Sequence, residues 1–174
     1  MMPSDDSIGR TGRRAPDRTI RPSVLDRLLD DESELAERAL GWDASVGVLK
    51  RVVRRDLEWL LNTRRTPEPA PEHLPEVRHS LFHYGLPDIT SLSRDSAEDR
   101  RLLLQQIEEA IALFEPRLAD VRVVPVETGT GAERELRFRV EGMLRMEPNP
   151  ERVSFDTVLE VSSGEYEVRG ETGA

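Results

Sequence analysis

Cysteine is absent from the chain, and with it go disulfide frameworks, thiolate metal sites and cysteine nucleophiles. Lysine is nearly absent. Lys50 is the only one, so basic charge is carried by arginine, whose planar fork suits carboxylates on a protein partner. Aromatic residues make up 5% of the sequence, so a core has to be assembled mainly from Leu, Val and Ile. No apolar run approaches the roughly 20 residues of a membrane-spanning helix, and any action at a membrane is expected to pass through partners. Arg13-Arg14 is followed by Ala15, Pro16 and Asp17 where a twin-arginine leader would begin its apolar segment. A cytoplasmic location is the simplest expectation.

What is abundant is charge. Charged residues are 34% of the 174 and the net charge is -9, which disfavours non-specific binding of the folded body to nucleic acid or anionic membrane. The length suits one domain with extensions. Residues 1–21 hold five arginines among Ser, Asp, Gly and Pro with almost nothing apolar, too little to offset the entropy of ordering. We therefore expect a flexible arginine-rich tail over 1–21, a single domain over 22–170 and a disordered end over 171–174. No aromatic residue interleaves with the tail arginines to stack bases, so nucleic acid is not an expected partner.

Val24, Leu25, Leu28 and Leu29 form a short helical stripe after Pro22-Ser23, resembling a docking helix. From Ser45, Val46, Leu49, Val53, Leu57 and Leu60 recur at spacings of three and four, predicting a helix that ends near Asn62. Pro67, Pro69, Pro71 and Pro75 exclude regular helix, and a short helical segment over about 76–84 is expected to stop at a left-handed Gly85. Ser96 opens a second helix with Leu103, Ile107, Ile111 and Phe114 on one face, and Pro116 closes it. The period then changes to two. Arg122–Val126 reads as a strand and Thr128-Gly129-Thr130-Gly131 as a loop. Leu136, Phe138, Val140, Gly142, Leu144 and Met146 alternate with Glu135, Arg137, Arg139, Glu141, Met143 and Arg145. Val153 to Val161 alternates likewise, and Tyr166 with Val168 suggests a last strand after Ser163-Gly164. Helices first and strands later predict an α+β fold, with N-terminal helices packed on one face of a C-terminal antiparallel sheet.

Candidate chemistry is sparse. His79 and His83, four apart, with Glu76 three before, would line one helical face as metal ligands, with His73 nearby. Such spacing has low specificity, and ordinary surface or half-buried histidines are favoured. Glu108 and Glu115 are the least implausible acid-base pair. Among 34 acidic residues a pair like this arises by chance. No hydrolase, P-loop or dinucleotide signature accompanies them. Neither catalysis, metal nor cofactor is expected. Glu115-Pro116-Arg117 stands where helix gives way to sheet, and its two charges, two residues apart in an extended segment, point to one side.

Several runs together resemble a known family. Asp56-Leu57-Glu58-Trp59-Leu60-Leu61-Asn62-Thr63-Arg64-Arg65, Tyr84-Gly85-Leu86-Pro87-Asp88, Phe114-Glu115-Pro116-Arg117-Leu118 and Leu136-Arg137-Phe138-Arg139-Val140 are similar to segments of TssE, the lysozyme-like baseplate subunit of type VI secretion systems. That family is in turn similar to a tailed-phage baseplate wedge protein once named for lysozyme activity. The resemblance implies a structural wedge subunit in a cytoplasmic baseplate docked to the inner membrane complex. It also implies TssF, TssG, TssK and sheath subunits as partners, and Glu115, Pro116 and Arg117 as an interaction motif. Arg137 and Arg139, on the outer face of the sheet, would add register and partner choice through strand exchange. Charge reversal at Arg117 is then expected to spare the fold and stop sheath assembly. The alternative is a peptidoglycan hydrolase, as the older family name suggests.

Overall fold

The computed structural model describes residues 42–88, 96–126, 135–147, 149–160 and 162–170. The expected tail over 1–21, the stripe at Val24–Leu29, the 128–131 loop and the end at 171–174 lie outside the described residues. The chain divides into two compact units, Met1–Gly47 and Val48–Ala174, and the second carries most of what is described.

Helix α1 runs Trp42–Asn62. Val53, Leu57, Leu60 and Leu61 are buried on one side, as the three-and-four spacing requires. Helix α2, Ala97–Phe114, begins where expected: the Ser96 hydroxyl accepts from the Asp99 amide at 3.1 Å, which satisfies one of the orphan donors of the first turn. Leu103, Ile107 and Ile111 form its buried stripe, and Pro116 follows one residue after the Glu115 cap.

Four strands follow: β1 Leu118–Pro125, β2 Glu135–Leu144, β3 Glu151–Glu160 and β4 Glu165–Arg169. They form an antiparallel sheet in the order β1-β2-β3-β4. In β2 the burial alternates from Phe138 through Val140 and Gly142 to Leu144, and β3 and β4 add Val153, Phe155, Leu159, Tyr166 and Val168 to the same inner face. Phe138 meets Tyr166 edge-on at 6.3 Å between centroids, an aromatic pair spanning β2 and β4. The α+β expectation holds, with the helices against one face of the antiparallel sheet.

β1 begins four residues earlier than its sequence pattern indicated. Leu118 and Val123 are both buried although an unbroken strand would send residues five apart to opposite faces. A bulge between Ala119 and Arg122 resolves this, with Asp120 at φ 52. The extra residue restores the inward phase. Gly142 lies opposite: a Cβ there would stand 3.2 Å from the Ala119 carbonyl oxygen. The bulge hid the start of the strand from any reading by period two.

The segment expected as a short helix over 76–84 is two 3-10 helices instead, Pro75–His79 and Leu81–His83, separated by an extended Ser80. Gly85 does carry a positive φ, 101°, though it caps no α-helix. It lets the chain run beside the end of α1, where Leu86 donates to the Thr63 carbonyl at 2.9 Å and Arg65 donates to the Leu86 carbonyl at 2.8 Å.

Candidate functional site

The Glu-Pro-Arg corner is an ion-pair knot. Pro116 turns the chain out of α2, and Arg117 folds back on Glu115, donating from Nε to Oε1 at 2.6 Å and from Nη2 to Oε2 at 2.5 Å. The expected same-side geometry is met. Arg117 Nη2 also donates to Asp56 Oδ2 of α1 at 2.6 Å, so one guanidinium bridges two carboxylates. Glu115 is only 4% exposed, whereas the Arg117 side chain is 31% exposed. Burial by itself lowers the Arg117 pKa, but the bonds to Glu115 and Asp56 outweigh it and hold the group above its ordinary value. The corner thus fastens α1 to the α2–β1 junction before it offers anything to a partner.

Two aromatic residues close the knot. Tyr84 packs edge-on against Phe114 at 5.2 Å, and burial, then the charges of Asp56 and Glu115, push its phenol pKa up. On the outward side, Arg55 binds Asp56 Oδ1 through Nε at 2.9 Å and Nη2 at 2.7 Å. Its guanidinium also lies 4.8 Å from the Trp59 ring centroid.

Arg137 and Arg139 sit on the outer face of β2, each side chain 44% exposed. Both are already paired. Arg137 binds Glu135 at 2.8 Å along its own strand, and Arg139 binds Asp156 of β3 at 2.7 Å across the ladder. Glu141 meets Arg152 at 3.4 Å. Exposed pairs of this kind contribute little to stability and leave a mosaic of both signs on the surface. The structure does not merge this face with the corner into one chemical cluster.

Each edge strand of the sheet is met at one residue by a helix side chain. Glu108 of α2 accepts from the Val123 amide of β1 at 3.0 Å. Asn62 at the end of α1 accepts from the Tyr166 amide at 2.9 Å and donates to the Tyr166 carbonyl at 2.8 Å, imitating a neighbouring strand at β4. Glu108 and Glu115, considered as an acid-base pair, therefore each have a task inside the fold.

The histidines do not converge. His73 and His79 are exposed, and His83 faces Arg65, whose Nη1 lies 2.8 Å from Nε2. Arginine can only donate, so Nε2 accepts and the ring proton sits on Nδ1, which is buried without a partner among the described residues. Burial, then the charges of Arg65 and Arg78, lower the His83 pKa. Among the described residues no group of three or more His, Asp or Glu is placed to hold a metal ion. No described helix is long and apolar enough to cross a membrane.

Sequence reasoning missed Asp56, Asn62 and Glu108 as partners. Asp56 lies 61 residues from Arg117 and Asn62 lies 104 from Tyr166, and no local pattern announces pairings at such separations.

No curated protein matches the chain. A family model described as baseplate wedge protein gp25 matches residues 48–149, which is more than half of the chain and spans α1 from Val48, the corner and the first two strands. The chain therefore belongs to the baseplate wedge protein gp25 family.

Proposed function

We propose that the chain is the wedge subunit of a type VI secretion baseplate, a non-catalytic cytoplasmic protein that helps to start contractile sheath assembly. Membership of a baseplate wedge family supports a structural role among other baseplate components. The observation that carries the finer reading is the outer face of β2, where Arg137 and Arg139 stand exposed beside Glu135, Glu141 and Asp156. Mixed charges on a sheet face suit a partner chosen by complementarity and fixed in register. TssF, TssG, TssK and the sheath subunits are the proposed partners, and the baseplate meets the inner membrane complex through them.

In this reading Glu115 and Pro116 position Arg117, and only the exposed third of Arg117 is left to touch a partner. Charge reversal at Arg117 is a poor test of contact, because it would place a third carboxylate beside Glu115 and Asp56 and damage the fold itself. The test belongs on the sheet. The double substitution Arg137→Gln/Arg139→Gln, which removes both charges without setting new carboxylates against Glu135 and Asp156, should leave circular dichroism and thermal midpoint nearly unchanged, yet abolish co-purification with the baseplate subunits and visible sheaths in cells. Sheaths at wild-type number and length in those cells would refute the assignment.

A further inference from the structure

The outward face of α1 carries exposed side chains. Arg51, Arg54 and Trp59 are exposed. Arg51, Arg55 and Trp59 follow one another at four-residue steps, so they climb a single side of the helix at about 6 Å per step; Arg54 neighbours Arg51 on the flank of that row away from Trp59. Arg51 and Arg54 have no ion-pair partner among the described residues. On a chain of net charge -9 this stretch is locally basic, with four basic residues from Lys50 to Arg55 against Asp56 and Glu58.

Trp59 is 48% exposed, although tryptophan is highly buried on average. It is also held in place. Arg55 stacks on the indole and is gripped by Asp56, whose other oxygen binds Arg117. The ring is therefore buttressed by the same network that ties the corner, which lowers the entropy lost when it is covered. Tryptophan and arginine are the residues on which interface energy concentrates.

We propose that Arg51, Arg54 and Trp59 form a docking surface for an acidic amphipathic helix of another baseplate protein. Trp59 inserts among that helix's apolar side chains, and Arg51 and Arg54 pair with its Asp or Glu residues. Charge complementarity selects this occupant. Nucleic acid would ask for several stacking rings, and this face offers one. The proposal rests on the baseplate reading, which supplies a protein partner.

The test places a photo-crosslinking benzoylphenylalanine at position 59 of the full chain in its own cells, and the crosslinked peptide is identified by mass spectrometry. The expected product is a net-acidic helical segment of a baseplate protein. In calorimetric titration against that protein, Arg51→Glu/Arg54→Glu should weaken binding on the order of tenfold or more, with circular dichroism unchanged. Asp/Glu→Arg changes in the crosslinked segment should restore it. Crosslinks to a basic segment, to nucleic acid or to a second copy of this chain would overturn the proposal. So would folded Trp59→Ala and Arg51→Glu/Arg54→Glu variants that co-assemble like wild type, an outcome that leaves the baseplate reading standing. Failure of the wild-type chain to co-purify with any baseplate protein would remove that reading and this inference together.

Discussion

Arg117 does the work of two residues, and only its planar fork allows it. Nη2 serves both Glu115 and Asp56 while Nε serves Glu115 alone; a lysine ammonium is a point charge that could not reproduce this bridging geometry. Arg117→Lys should therefore cost about 1–3 kcal/mol in urea unfolding. Asp56→Asn should lose less when added to that variant than when made in the wild type, the signature of a shared partner. Additive losses would deny the bridge. His83 gives a pH prediction. Its folded pKa lies below the ordinary 6.5, so the unfolded chain takes up the proton more readily. The associated stability is complete above pH 6.5 and is lost as the pH falls from there through the lowered folded value. His83→Gln should flatten that part of the stability profile, and an unchanged slope would show that His83 is not its source.

Helices and strands here are sound in their centres and specified at their ends by single contacts. Ser96 caps α2, and Ser96→Ala should destabilise by about 1 kcal/mol, read as a lower thermal midpoint. Gly85 is less forgiving. A Cβ there would come within 2.3 Å of the Thr63 carbonyl oxygen at φ 101, so Gly85→Ala is expected to cost about 2 kcal/mol or more. Asn62 guards the β4 edge through both backbone groups of Tyr166. Unpaired strand edges template association, so Asn62→Ala should shift sedimentation profiles toward oligomers. A strictly monomeric variant would mean that the edge is protected by other groups. Both long helices were legible because the three-and-four spacing of Leu, Ile and Val survives any tertiary arrangement. The start of β1 was not, because the bulge at Ala119–Arg122 answers to Gly142 on the next strand.

For the molecule as a whole, the order of elements settled the architecture early. Helices preceding consecutive strands leave little choice but helices on one face of an antiparallel sheet. The corner changed its meaning once folded. Read as a surface motif, Glu115-Pro116-Arg117 became a joint in which the glutamate is buried. The acid-base alternative has its own check at this level: purified protein incubated with peptidoglycan should release no soluble muropeptides. Release by the wild-type chain that disappears in a Glu115→Gln variant of unchanged circular dichroism and thermal midpoint would favour the hydrolase reading.

Periodicity, caps and prolines are local, and they were enough to mark α1, α2, β2, β3 and the alternation that sends Phe138 inward and Arg137 outward. Pairings between distant residues obey no local period. Only the tertiary structure could bring Asp56 to Arg117, Asn62 to Tyr166 and Glu108 to Val123, because each bond depends on where the packed helices leave a side chain relative to the sheet. The charged face of β2 was therefore readable from the chain, while the buried joint beside it was not.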